Sequence, residues 1–378
     1  MYSQTTVTTT YFSTFTHTAG GTFTHNSGTS LFSGASASID VATTETFGSV
    51  TIGVAASDAG ATKTVANSDT LVVTGTFTMS EGNVSQTTIP ATGTISAQGN
   101  AVVGASFDGG TGKLIFSGSA TQTFDLTSAT GGYNGDIAVN KAGGAVNLLS
   151  NLTMDASGQD LVIEEGTFDV SGFTLSVTGA GTETIIVETG GNLQLQGGET
   201  ITGDSASYPQ LNSGSTVTYD GTSTTYTLKD YTYHHLTIAG GASSVFTLAA
   251  NESLGGNLTL TTGILSQGGL TLAVTGTFSN DSTLRRFQNE TLTVTMDIDS
   301  GTIEYVGDGD GSAETVTLTD LGTTDYYNLK INDTNATKDI FALGAATVLA
   351  GTLQVTSSEF QQGANVLTPA AIIVDGGT

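Results

Sequence analysis

The feature that most constrains this chain is the shortness of the links between its apolar runs. Residues 257–261 read NLTLT, residues 263–267 read GILSQ and residues 270–274 read LTLAV. Leu258 and Leu260 share one face of an extended chain, as do Leu270, Leu272 and Val274, while Thr and Asn take the other; these five are expected inward, as are Leu236, Ile238, Leu329 and Ile331. A period of two is the signature of half-buried strands. The links are one to three residues long and rich in Gly. A chain linked this way must turn sharply after each strand and has no length to reach a distant partner. Coils of short strands stacked as a β-solenoid meet that constraint, because each coil covers the apolar face of its neighbours.

The pattern recurs. Phe32, Phe116, Tyr219 and Tyr305 each end one strand-like run, at intervals of 84, 103 and 86 residues, and Phe47, Tyr133, Tyr233 and Tyr327 each head a second run. The chain therefore divides into four diverged copies, 21–112, 113–212, 213–299 and 300–378, behind a Thr-rich strand segment at 1–20. The long second interval has room for an extra coil, read in the runs at 184–188 and 192–196. No Pro-rich or low-complexity linker separates the copies, so one continuous solenoid is expected. Coils of ~20–25 residues give about 15–19 turns. The fold class expected is all-β, a right-handed parallel β-helix. The alternative is four tandem immunoglobulin-like sandwiches, whose domain size is similar but whose crossovers need longer links.

Composition agrees. There are 51 Gly, 3 Pro, no Cys and no Trp, and Thr and Ser are abundant. Such a mixture favours strands and tight turns. No apolar run is long enough for a transmembrane helix, and the start shows neither a basic region nor an apolar stretch of the secretory kind. Net charge is −26, from 8 basic and 34 acidic residues. That excludes a nucleic-acid-binding role, which needs a basic face, and disfavours anionic membranes. It suits a soluble extracellular or cell-surface protein.

The segments "GNLTLTTGILSQGGLTLAVTGTF" and "STVTYDGT" resemble the repeats of large secreted bacterial β-helical surface proteins of the filamentous-haemagglutinin, adhesin-like kind. The resemblance is one of repeat style and covers nearly the whole chain, most strongly 213–299. It implies an elongated extracellular structural or adhesive role and identifies no receptor.

Polysaccharide lyases and hydrolases also use β-helices, so the carboxylates bear on function. Glu164 and Glu165 are adjacent on a strand and are expected to face opposite ways. Lys and Arg are few and scattered. No catalytic constellation is expected, and the alternative is a polysaccharide-binding or polysaccharide-degrading β-helix. Asp308, Asp310 and Glu314, spaced by Gly turns, are the candidate ligands for Ca²⁺; no other cofactor is expected. His17 and His25 lie eight apart, and His234 and His235, neighbours on a strand, are expected on opposite faces; none has zinc-motif spacing. Sequons including Asn151, Asn251 and Asn257 recur, and inward Asn could form ladders along a solenoid. The expected partners are further copies of this chain, stacked head to tail through the low-charge strand at 5–16, and surface or matrix glycans. The expected role is therefore that of a structural protein in a filament or adhesin.

Overall fold

The computed structural model describes residues 2–3, 7–54, 57–86, 93–129, 133–179, 183–203, 208–288 and 290–378. It is a β-solenoid of about 15 turns; none of the described residues is helical and about half of the chain is strand. The described pairings are parallel, between strands whose register partners lie 19 to 27 residues apart. Parallel coil-on-coil pairing excludes the immunoglobulin-like alternative, whose sheets are antiparallel.

Two compact units can be described. The first comprises residues 1–194 and 199–212. Its interior is a column of register partners, Leu71, Ile95, Leu114, Ile137, Leu161 and Ile185, all buried. β-branched and aliphatic side chains repeat here at one place per coil because only an apolar group at that place is covered on both sides. Phe15, Phe23, Phe32 and Phe47 pack edge-on near the start of the unit. Thr8–Tyr11 pairs with Thr29–Phe32 and Phe15–His17 with Ala37–Val41, so this Thr-rich segment forms a coil of its own chain. Thr5 and Thr6 lie outside the described residues.

The second unit comprises residues 195–198 and 213–378, and the division falls between Asn212 and Ser213, where the third repeat begins. Its interior column is Leu265, Leu284, Ile303, Leu329 and Leu353. Eight of the nine apolar side chains expected inward here, Leu236, Ile238, Leu258, Leu260, Leu272, Val274, Leu329 and Ile331, are buried. Leu270 is the exception. Gly268 and Gly269, both at positive φ, turn the chain, the Leu270 N–H bonds to the Gln267 carbonyl, and the strand begins at Leu272. Leu270 is thus half-buried at a corner, where strand alternation does not apply.

The tyrosines that end and head the runs meet in pairs. Tyr219 and Tyr233 are buried with their hydroxyls 2.8 Å apart. The matching pair later in the unit is Tyr305 with Tyr326, 3.3 Å between hydroxyls; Tyr327 is half-exposed. In both pairs a hydroxyl also donates to a backbone carbonyl, Lys229 for Tyr233 and Thr319 for Tyr326. The tyrosines give large apolar area to the core while their polar tips stay satisfied.

Corners are tied by polar side chains. The amide oxygens of Asn151, Asn251, Asn257 and Asn328 accept the backbone N–H of Thr174, Thr271, Thr277 and Thr352, one coil further on, each at about 2.9–3.0 Å. Asn151, Asn251 and Asn257 are exposed, so they cap neighbouring coils and do not form an inward ladder. Buried Asp58, Asp325 and Asp333 accept backbone N–H groups in the same manner. Part of the acidic composition is therefore structural, since a carboxylate can satisfy several orphan corner donors at once.

Candidate functional site

Five of the eight basic side chains fall into two classes. Lys63, Lys141 and Arg286 are buried. The Lys63 ammonium donates to the carbonyls of Gly34 and Ala35 at 2.8 and 2.6 Å, and Lys141 donates to Ala120 at 2.8 Å. Burial pulls both ammonium groups below the ordinary lysine value, and for Lys63 Asp58 opposes the shift. The Arg286 guanidinium donates to Gln267 Oε1, the Tyr305 hydroxyl, Thr319 Oγ1 and the Glu290 carbonyl. These three cations hold coils together.

Arg285 and Lys330 belong to the second class. Thr283–Arg286, Thr302–Tyr305, Asn328–Asn332 and Thr352–Ser357 are successive rungs of one parallel sheet. Their outward positions form two rows. One runs Arg285, Glu304, Lys330, Gln354, in register from rung to rung. The other holds Thr283, Thr302 and Asn328. Glu304 lies between the two cations: Arg285 Nε is 2.9 Å and Lys330 Nζ 3.0 Å from its two carboxylate oxygens, and Asn332 Nδ2 donates at 2.9 Å. Burial alone would raise the Glu304 carboxyl, but Arg285, Asn332 and Lys330 together hold it below the ordinary value. The rows line an open groove of about 520 Å³. Gly301, at φ +70, leads into the Glu304 strand; a Cβ there would come within 2.0 Å of the Asn280 carbonyl oxygen, so a side chain would push this rung out of line.

The sequence missed this site. The basic residues are scattered along the chain, yet two of them meet across Glu304. The signal was present in the two repeat elements TIEY and YNLKI: placing them in register sets Glu304 beside Lys330.

The expected Ca²⁺ ligands are arranged differently. The Gln288 amide bridges Asp308 Oδ2 at 2.9 Å and Glu314 Oε2 at 3.2 Å, while Asp310 accepts the Ser312 N–H at 2.7 Å within its own turn. Among the described residues, no three His, Cys, Asp or Glu side chains are grouped to hold a metal ion. Glu164 and Glu165 both lie on the outer surface, because the strand shifts register near them and turns at Gly166, φ +84; they do not take opposite faces. The rings of His234 and His235 meet edge to face, 4.4 Å between centroids, because the strand starts at His235. Burial and the neighbouring His234 ring push the His235 imidazole down. His17 Nδ1 pairs with Glu45, and the Ser27 N–H donates to His25 Nδ1.

One buried carboxyl stands out in the second unit. Glu252 occupies an inward position, paired with Leu272. Burial, and then the charge of Asp230, push it up to about 7.

Comparison with family models, with curated proteins and with solved structures gives no match. Among the described residues no helix is long and apolar enough to cross a membrane.

Proposed function

We propose that this chain is a non-catalytic extracellular structural protein, a solenoid scaffold of an adhesin-like surface fibre. The observation that carries the reading is the use made of its ionisable groups in the interior. Lys63, Lys141, Arg286, Asp58, Asp325 and Asp333 are each spent on backbone or side-chain partners that join one coil to another or close a corner. Enzymes instead leave such groups poised toward a reacting atom. The charge of −26 and the Thr- and Asn-rich exterior favour a soluble surface location, and the repeat style resembles that of the secreted adhesin-like proteins.

Two experiments test the reading. Antibody labelling of intact cells is expected to detect the chain at the surface; labelling restricted to permeabilised cells would overturn the location. A screen of acidic and neutral polysaccharides, with and without Ca²⁺, is expected to give no depolymerisation. Cleavage abolished by Asp310→Ala would replace the scaffold reading with an enzymatic one.

A further inference from the structure

We propose that the groove along Arg285, Glu304 and Lys330 binds an anionic polysaccharide through the carboxylates of its uronic acid units. This deepens the adhesive reading by naming a ligand class and rests on that reading only for its location outside the cell.

The first argument is charge. On a chain of −26, two of the eight basic side chains stand in one groove with a single carboxylate between them. The groove is therefore a local positive island on an acidic molecule. Three other basic residues are withdrawn into the interior, whereas these two join successive coils through Glu304 and still stay partly exposed to the groove.

The second argument is the disposition of the donors. Arg285 meets Glu304 through Nε, and among the described residues its two terminal amino groups have no hydrogen-bond partner. Glu304 is almost fully buried, with its side chain 3% exposed, while Arg285 and Lys330 are 24% and 29% exposed. Glu304 thus acts as a positioning residue: it fixes two long cationic side chains and leaves their remaining donors to the groove. Arg offers a carboxylate a planar pair of N–H groups, and Lys adds a point charge beside it.

The third argument is spacing. Rungs of a parallel sheet repeat every ~4.8 Å, and a pyranose ring in an extended 1,4-linked chain advances by a similar distance. A polymer laid across the coils would meet one rung per sugar. Thr283 and Thr302, in register on successive rungs, supply a hydroxyl to each of two successive sugars. Ile264 and Ile373 line the groove as well, and supply aliphatic surface against which the apolar face of a sugar ring can rest.

The test uses the full chain. Its affinity is measured by calorimetric titration against polygalacturonate, dextran sulfate, neutral dextran and polyglutamate of matched length. The expected result is binding to polygalacturonate that weakens with salt, with polyglutamate and dextran sulfate weaker and neutral dextran silent. Arg285→Gln and Lys330→Gln, each checked for an unchanged unfolding midpoint, are expected to lower the affinity roughly tenfold or more. Lys338→Gln, which removes an exposed cation outside the groove, is expected to leave it unchanged. Absence of binding overturns the proposal and leaves the scaffold reading standing. Equal binding of polyglutamate or dextran sulfate, or affinity indifferent to both groove variants, also overturns it. Shortening of the polymer would overturn the scaffold reading and leave the groove assignment intact.

Discussion

The two units have interiors of the same kind and differ in one outward column of their sheets. In the first, the outward column beside Leu71–Ile185 reads Thr46, Val72, Ser96, Ile115, Ala138, Val162 and Ile186, register partner to register partner. It carries no charge. In the second, the outward column beside Leu284–Leu353 reads Arg285, Glu304, Lys330 and Gln354. The inward columns of both are aliphatic and buried. The architecture therefore fixes one face of each strand and leaves the other free to vary. In this chain that freedom places charge in the second unit's column and aliphatic and hydroxyl groups in the first's, although Lys113 and Asp160 stand in the neighbouring outward row of the first unit.

The comparison predicts a graded series of effects. The largest belong to the interiors: Leu161→Ala and Leu329→Ala are each expected to cost about 2–5 kcal/mol, read from denaturant midpoints. A cost confined to one unit would break the claim that both are held alike. Next come the buried corner cations. Lys141→Met leaves the Ala120 carbonyl without its donor and is expected to cost about 1–3 kcal/mol.

The third prediction sets two glutamates of the second unit against each other. Glu252 has a folded value pushed up to about 7 against an ordinary 4.5. The folded chain then holds its proton more tightly than the unfolded chain, so stability falls as pH rises from about 4.5 to 7, by at most about 3 kcal/mol and by less where solvent screens the group. Glu304 is held low. Its contribution is present above the ordinary carboxylate value and is lost as pH falls through the lowered one. Unfolding curves across pH should show Glu252→Gln flattening the first slope and leaving the acid-side loss in place. A first slope unchanged in the variant would contradict the assignment. The smallest effects belong to the outer faces: Ser96→Ala and Arg285→Gln are each expected to change stability by no more than about 1 kcal/mol, although the second removes a groove donor.

What was legible in the sequence was the repeating inward position. Leu258, Leu260, Leu329 and Ile331 sit in strands whose alternation is unbroken, so period two placed them correctly. Leu270, Tyr327, Glu165 and His234 sit at corners, where one or two residues rotate the chain and alternation carries no information. The groove was hidden for a related reason. Arg285, Glu304 and Lys330 belong to three coils, and their contact depends on register, which is set by the length of every turn between them. Asp308, Asp310 and Glu314 lie in a loop, where sequence spacing does not fix where carboxylates point; Asp310 closes its own turn.

The most direct test combines binding and integrity in one sample. Polygalacturonate is incubated with a stoichiometric amount of the full chain, and the bound fraction and new reducing ends are followed together. A scaffold with a groove for uronates predicts polymer that is bound and of unchanged length, released in proportion as Arg285→Gln replaces the native chain. Polymer that is shortened, or that stays unbound at every concentration, would contradict the account.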